Sequence, residues 1–245
     1  MRTKRIQSLT QYLNAIEKIN KVHNEKKIHG IVRVNEQSLY RGQNKDYPLL
    51  PKIARNITED TIEDKESKML SELKIRGKIY RDLTALDIWG LLTIAQHYGL
   101  ATRLLDWTTN PLVALWFACC NGNNKQTAYV YVLLPHRDIN FLDRKSIKAT
   151  KEHTGITILK TKYEDTRVIS QDGWFTVHSS SRKYRRFIPL GELEHHAEGM
   201  VKISVSKSSI VQILNDLDTL GVNYQSVFPD LDGVCKYINW KNNLK

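Results

Sequence analysis

Cysteine, long apolar runs and a signal-peptide core are scarce or absent in this 245-residue sequence. Its three cysteines, two of them adjacent as Cys119 and Cys120, make neither a disulfide framework nor a zinc-binding pattern. The longest apolar run, from Pro111 to Cys120, is far too short to cross a bilayer. Polar residues follow the basic N-terminus, where a signal peptide needs an apolar core. We therefore expect a cytoplasmic protein with no membrane partner.

Common motifs for phosphate and metal chemistry are missing as well. The sequence contains no Gly-rich phosphate loop, no His-Glu-x-x-His and no Gly-x-Ser-x-Gly. No internal repeat and no flexible linker divides the chain. One stretch is rich in side chains that bind metals, but its spacing matches no defined zinc site, so we expect no metal. Its members are Glu192, Glu194, His195, His196 and Glu198.

Positive charge is abundant. The net charge is +11 and the isoelectric point is near 9.5, which favours a polyanionic partner such as nucleic acid or nucleotide phosphates. The alternative is a basic surface that serves solubility alone. The basic residues cluster in two stretches, of which we expect the second, with its interleaved aromatics, to bind nucleic acid. The first contains Arg144, Lys145, Lys148, Lys151, Lys160 and Lys162; the second contains Arg182, Lys183, Tyr184, Arg185, Arg186 and Phe187.

Hydrophobic periodicity predicts helices early in the chain and strands mainly in its second half. This distribution favours an α+β fold over a regular βαβ alternation. Helices are predicted over 8–26, 62–86, 86–97, 207–220 and 230–242, with a further helix opening at Asn110-Pro111. Strands are predicted over 39–42, 102–107, 128–134, 168–178 and 200–205.

Three local groups of residues are candidates for a binding or catalytic site. The first is Tyr40-Arg41-Gly42-Gln43, where an Arg at a strand end stands beside a Gly that lets a ligand approach the backbone. That arrangement suits a phosphate or a ribose-phosphate. The alternative is a structural Arg paired with a carboxylate.

The second group is the polar stretch between two apolar helical runs. His97 and Asp106 are suited to act as a base and the residue that orients it, and Arg103 is suited to bind an anion. Thr102 and Thr108 add hydroxyls, and Thr108 lies just before a helix N-terminus, which favours an anion. A satisfied buried polar network is the alternative, because such a network has the same composition.

The third group is Arg167 to Phe175. Alternation along a strand puts Gln171 and Gly173 on one face, so that Gln171 can offer its amide to a ligand. A solvent-facing glutamine on an edge strand is the alternative.

These residues resemble the FRG domain family, whose Phe-Arg-Gly triplet here is Tyr40-Arg41-Gly42. Three further blocks carry the resemblance, which extends over roughly 39–237: residues 97–111, residues 171–175 and the Phe-Pro-Asp-Leu-Asp-Gly block at 228–233. The departure is Tyr for Phe at position 40. The resemblance implies an FRG domain over 37–245, preceded by an N-terminal helical element over 1–36.

The order of these parts is similar, more distantly, to that of ADP-ribosyltransferases, which implies a mixed, mostly antiparallel sheet of that type with flanking helices. In that family an Arg holds the phosphates and ribose of NAD, a hydroxyl shapes the nicotinamide pocket, and a Glu stabilises the cationic transition state. By position Arg41 matches the Arg, and Thr102 or Thr108 matches the hydroxyl. Tyr40, Gly42 and Arg103 complete the expected NAD-binding set.

Gln171 matches the Glu, and this is a departure, because a neutral amide cannot act as a general base. His97 or Asp106 is then the expected source of the missing base. The leading hypothesis is therefore an ADP-ribosyltransferase-like toxin or phage-defence effector that uses NAD to modify a nucleic acid or nucleotide, with an antitoxin or a regulatory protein as an expected partner. Two alternatives stay open: a non-catalytic nucleic-acid or nucleotide sensor, and a metal-free nuclease or hydrolase that uses His97 and Asp106.

Overall fold

Eight strands join into a single sheet within the residues that the computed structural model describes, which are 2–28, 37–55, 62–120, 126–135, 139–142, 156–160, 166–179, 187–193 and 199–244. The strands are β1 (Arg2–Ile6), β2 (Leu39–Gln43), β3 (Leu104–Thr108), β4 (Ala128–Leu133), β5 (Asn140–Phe141), β6 (Ile156–Lys160), β7 (Gly173–His178) and β8 (Met200–Val205). The α-helices of these residues are α1 (Leu9–Ile28), α2 (Ile62–Gly77), α3 (Ile88–His97), α4 (Pro111–Cys120), α5 (Thr166–Ser170), α6 (Ile210–Thr219), α7 (Tyr224–Val227) and α8 (Leu231–Lys241). None of them is long and apolar enough to cross a membrane.

The strand order is β1-β8-β4-β2-β3-β7-β6-β5. The pairs β1–β8 and β5–β6 are parallel, and the five other neighbouring pairs are antiparallel. The predicted mixed, mostly antiparallel sheet with flanking helices is therefore confirmed. The described chain nevertheless starts with a strand, β1, which sequence analysis did not predict, so the sheet does not simply follow a set of N-terminal helices.

Two of the predicted elements are wrong in part. Residues 168–178 do not form one strand: Thr166–Ser170 is the helix α5, and only Gly173–His178 is a strand. The Ser170 hydroxyl and the Gln171 amide both donate to the Val227 carbonyl, and this long-range contact holds a helical turn where β-branched residues suggest a strand. The helix predicted over 62–86 ends at Gly77, whose carbonyl accepts the N–H groups of a turn. The other predicted elements are present, with their ends shifted by at most three residues.

Helices α1, α4 and α6 cover one face of the sheet. Side chains such as Tyr12, Ile16, Leu115 and Ile213 pack there against the strands in a single cluster. Both β1 and α1 thus contribute to the same sheet and core as later parts of the chain. The division into units 1–36 and 37–245 stays a prediction.

The two faces of β2 have different environments, because successive side chains of a strand alternate. Tyr40 lies in the cluster beneath α1 and α4, whereas Leu39 packs with Trp107 and Tyr131 on the opposite face. Arg41 therefore shares the face of Leu39.

In the centre of the sheet, β2 is fully paired with one neighbouring strand but hardly paired with the other. β2 pairs with β4 at five register positions, from Leu39 with Leu133 to Gln43 with Tyr129. It pairs with β3 at one position, Tyr40 with Thr108. After Tyr40 on β2 and before Thr108 on β3 the two strands diverge. The side chains of Arg41 and Asp106 lie where they separate.

Candidate functional site

A cavity of about 300 Å³ lies where β2 and β3 diverge. Its lining comes from β2, β3, β7, the end of α3, α4 and α5, so that segments distant in sequence meet there. The polar residues that line it are Arg41, Gln96, His97, Asp106, Thr108, Arg167 and Gln171. The aromatic residues that line it are Tyr40, Trp107, Phe117, Trp174, Phe175 and Phe228. The structure thus brings together members of all three candidate groups.

Arg41 bridges the divergence between the strands. Its Nη1 donates to the backbone carbonyl of Asp106 over 2.7 Å and lies 3.5 Å from Asp106 Oδ2. The Arg41 side chain therefore binds the Asp106 carbonyl, which would accept a backbone N–H of β2 if the β2–β3 pairing were continuous. The Arg41 side chain is 15% exposed, and its buried Nε has no hydrogen-bond partner.

Burial of this guanidinium has an electrostatic consequence. Loss of hydration lowers the pKa of Arg41, and Asp106 only partly opposes the effect. An arginine nevertheless stays protonated at neutral pH. The cavity thus holds a positive charge that is poorly solvated and only partly neutralised, which favours an anionic ligand.

A polar network orients Asp106. Gln96 Nε2 donates to both carboxylate oxygens of Asp106, over 3.2 Å and 3.1 Å, and Gln96 Oε1 accepts from the Thr102 hydroxyl over 2.7 Å. The Asp106 side chain is 53% exposed, so it meets both solvent and the cavity. Thr102 itself is buried and is not among the residues that line the cavity, so that Gln96 stands between it and Asp106. The side chains of Thr102 and Asp106, both predicted site residues, are therefore linked by Gln96, which sequence analysis did not select as a site residue.

Arg103 does not reach the cavity. It is buried, its Nε donates to Glu66 Oε2 over 2.5 Å, and its backbone N–H donates to Glu66 Oε1 over 2.7 Å. Both oxygens of the Glu66 carboxylate are thus engaged by one residue. The predicted anion-binding role of Arg103 is wrong in this structure, because its charge joins α2 to the start of β3.

Tyr40 and Gly42 both line the cavity, and both also make contacts with the helices that cover the sheet. The Tyr40 hydroxyl donates to Asn20 of α1 over 3.1 Å on the helical face of the sheet. A Cβ built on Gly42 would lie 1.9 Å from the Ala114 carbonyl oxygen and 2.5 Å from the Ala118 nitrogen. Gly42 therefore permits close packing of α4 on β2. It also lines the cavity, and the expectation that its missing side chain lets a ligand approach stays a prediction.

The start of α4 is already capped. Asn110 Oδ1 accepts the N–H groups of Leu112 and Val113, and the Thr108 hydroxyl accepts the N–H of Asn110. Thr108 lines the cavity, but the helix terminus predicted to attract an anion is engaged by its own cap.

The third group and the block at 228–233 form the opposite wall of the cavity. Gln171 lies in the turn between α5 and β7, not on a strand, and its Nε2 donates to the Val227 carbonyl over 3.1 Å. Arg167 forms an ion pair with Asp230 and lies 5.3 Å from the centre of the Phe228 ring. Asp230 also caps α8 through the Gly233 N–H, and this bond, with Arg167, lowers the pKa of Asp230.

Two tryptophans of the cavity wall were also missed by sequence analysis. Trp107 lies on β3, and its indole N–H donates to the buried Thr176 hydroxyl over 3.0 Å. Trp174 stands opposite Trp107 across the β3–β7 ladder, with Lys160 5.4 Å from its ring. Both are adjacent to polar candidates in the sequence, but a tryptophan in a strand is equally typical of a core.

Several predicted residues lie outside the described residues. These are Arg182, Lys183, Arg185 and Arg186 of the second basic stretch, most of the first stretch, and the His195-His196 pair. His97, by contrast, ends α3 at the edge of the cavity, where its ring meets that of Tyr98 edge to face at 4.8 Å. The roles predicted for these residues stay predictions.

Comparison with known proteins identifies one family. The FRG domain model matches residues 36–127, a range that includes β2, β3 and α4 and therefore Arg41, Gly42, Gln96 and Asp106. The blocks around Gln171 and Phe228 lie beyond the matched range. No curated protein and no solved structure matches the chain. Residues 36–127 of the chain are thus similar to the FRG domain family.

Proposed function

We propose that this protein is an ADP-ribosyltransferase-like enzyme that uses NAD to modify a nucleic acid or a nucleotide. The observation that carries the proposal is the partly buried, partly unsatisfied Arg41 beside the Asp106 carboxylate in an aromatic-walled cavity. A cationic group suits the pyrophosphate of NAD, and flat apolar walls suit its rings.

The arrangement of strands supports the proposal. The Tyr-Arg-Gly strand β2, the strand β3 that ends at Thr108, and the strand β7 that follows Gln171 are neighbours in the sheet. Arg41, Thr108 and Gln171, which match the three functional positions of ADP-ribosyltransferases in order, therefore line one cavity. A cavity of about 300 Å³ is at the small end of the range for ligand sites, and suits the nicotinamide-ribose half of NAD with its adjoining phosphate.

The reaction assigns a role to each group. The bond between the ribose C1′ and the nicotinamide nitrogen breaks, and nicotinamide leaves with the electron pair. A nitrogen or oxygen of the target forms a new bond to C1′ and loses its proton. We assign the phosphates to Arg41, and the developing positive charge and the released proton to Asp106.

Asp106 suits this role better than Gln171 does. It is the one carboxylate among the described residues that line the cavity, and Gln96 fixes its orientation. The amide nitrogen of Gln171 is engaged by the Val227 carbonyl, so that Gln171 joins the turn after α5 to α7. The departure from Glu at position 171 is thus compatible with catalysis by a carboxylate on β3.

A second candidate function is a non-catalytic sensor of nucleotides or nucleic acid. It is favoured by the contacts of Asp106, whose carboxylate is close to Arg41 and accepts from Gln96. A carboxylate occupied by these contacts can hold the site together without taking part in a reaction, as a sensor requires. A hydrolase that uses His97 and Asp106, which both line the cavity, is the third alternative.

The test is mass spectrometry of purified protein incubated with NAD and a mixture of DNA, RNA and nucleotides. We expect ADP-ribosylated product and free nicotinamide from the unmodified protein. Asp106→Asn should lose product but retain NAD binding, whereas Arg41→Ala should lose product and bind NAD about 30-fold more weakly. Arg5→Ala, which removes an exposed arginine from β1, is the matched control and should be fully active.

Other outcomes separate the alternatives. An NAD affinity in Arg41→Ala equal to that of the unmodified protein contradicts the assignment of Arg41. Binding of NAD or nucleic acid without any product supports the sensor. Cleaved nucleic acid with intact NAD supports the hydrolase.

A further inference from the structure

A basic and aromatic segment comprises the last turn of α2 and the turn that follows it, and its residues are not among those that line the cavity. Between Lys74 and Arg81 the chain has four basic residues and no acidic one. Three large apolar side chains of this segment are mostly exposed: Tyr80 at 86%, Ile79 at 81% and Ile75 at 77%. We call residues 74–81 the α2 terminal segment.

The segment has a defined backbone. The N–H groups of Tyr80 and Arg81 both donate to the Gly77 carbonyl, over 2.9 Å and 3.0 Å. Leu83, which follows, is buried in the cluster of Trp89 and Leu92, and fixes the end of the turn to the core. The exposed side chains of Ile79 and Tyr80 therefore lie on a turn whose backbone is fixed by hydrogen bonds and by the buried Leu83.

Local structure accounts for only part of this composition. Basic residues in the last turn of a helix, here Lys74 and Arg76, interact favourably with the helix dipole. Arg76 also pairs with Glu72 one turn earlier. Neither effect explains the exposed Lys78 beyond the helix, or three neighbouring apolar side chains left in water.

We infer that the α2 terminal segment binds single-stranded nucleic acid. Charge complementarity favours a polyanion, because the segment is basic on a chain of net charge +11. The exposed Tyr80 ring favours unpaired bases, which stack on aromatic side chains regardless of sequence. Ile75 and Ile79 contact the bases beside Tyr80, while Lys74, Arg76 and Lys78 contact phosphates.

This inference goes beyond the proposed function, because binding at the segment needs neither NAD nor the cavity. It is also distinct from the basic stretch at 182–186. The two proposals can fail separately, since one is measured as product and the other as binding without NAD.

The test is fluorescence anisotropy of a labelled single strand of about 16 thymidine nucleotides, titrated with the full chain in the absence of NAD. The charge variant is Lys74→Gln/Arg76→Gln/Lys78→Gln. Its control is Lys4→Gln/Lys18→Gln/Lys21→Gln, which removes the same charge from exposed positions of β1 and α1. The stacking variant is Tyr80→Ala, with Tyr80→Phe as its control.

We expect Tyr80→Ala to weaken binding about 10-fold and Tyr80→Phe to leave it nearly unchanged. The charge variant should also lower the slope of log K against log salt by about 2, since each lost phosphate contact removes about 0.7. The control triple variant should change the slope by less than half as much. All these side chains are exposed or at the surface, and thermal unfolding checks that each variant is folded.

Three results would overturn the inference. One is equal loss of affinity in the two triple variants, which would indicate net charge alone. Another is unchanged affinity in Tyr80→Ala. The third is competition by polyglutamate, charge for charge, as strong as competition by the unlabelled strand, which would indicate an acidic protein partner.

Discussion

The two ends of β3 place an arginine beside a carboxylate in opposite ways. At its start, Arg103 and Glu66 form a buried pair in which both carboxylate oxygens accept from Arg103. Toward its other end, Arg41 reaches Asp106 from a strand that has diverged, and its Nε has no partner. The first pair is mutually satisfied and joins two elements. The second leaves capacity for a ligand, and it is the one that lines a cavity.

Residue type is therefore a poor guide to function when burial and partners are unknown. Both arginines are next to residues expected in a site, and both are largely removed from solvent. They differ in whether the surrounding helices and strands bury the charge with a full set of partners. We call the Arg103–Glu66 end of β3 the closed end and the Arg41–Asp106 end the open end. Removing one member of each pair at a time tests this contrast.

The largest effect is expected at the closed end. Arg103→Met leaves the Glu66 carboxylate buried without its partner, and should lower the free energy of unfolding by about 3–5 kcal/mol. Urea denaturation followed by circular dichroism measures it. Adding Glu66→Gln to Arg103→Met should recover part of the loss. A loss below about 1 kcal/mol would mean that the pair contributes little and that the contrast is overstated.

Gly42→Ala should come next in size. The new methyl group would overlap the Ala114 carbonyl, and α4 would have to move away from β2. We expect a loss of about 3 kcal/mol, at the upper end of overpacking effects, by the same denaturation measurement. Gly191→Ala is the matched control, because no atom lies within 4 Å of the added Cβ. Equal stability of the two variants would contradict the close approach of α4.

At the open end we expect an effect on binding rather than on stability. Arg41→Ala should weaken NAD binding about 30-fold, the loss of about 2 kcal/mol typical of a charged hydrogen bond. Its free energy of unfolding should change by less than about 1 kcal/mol, since a partly unsatisfied charge contributes little to folding. Calorimetric titration and denaturation measure the two quantities. A large loss of stability with intact binding would assign Arg41 the role that Arg103 has.

The smallest effect is expected in the network behind Asp106. Thr102→Val removes the hydroxyl that donates to Gln96, and should cost about 1 kcal/mol of stability. Transfer activity should fall about 5-fold, because Gln96 then holds Asp106 less firmly, while NAD affinity is retained. Initial rates at saturating NAD measure the change. An unaltered rate would indicate that Asp106 needs no orientation by Gln96.

Much of the fold could be predicted from local patterns. Helix α1, the strands β2, β4 and β8, and the capped starts of α4 and α8 lie where periodicity and capping residues put them. The errors at α5 and after Gly77 arise where a distant backbone group or a buried leucine fixes a turn. β1 was missed because a short edge strand of mostly polar residues has no periodic signal.

Local patterns in the sequence were enough to indicate the resemblance to FRG domains, most of the helices and strands, and many of the residues that meet in the cavity, because motifs and short-range periodicity are properties of neighbouring residues. Only the tertiary structure decided that β2 and β3 diverge at Tyr40, that Gly42 serves the packing of α4, and that Arg103 belongs to Glu66. These outcomes depend on which polar groups are left unsatisfied when distant segments pack together. Pairing across 37 positions, as between Glu66 and Arg103, leaves no local trace in the chain.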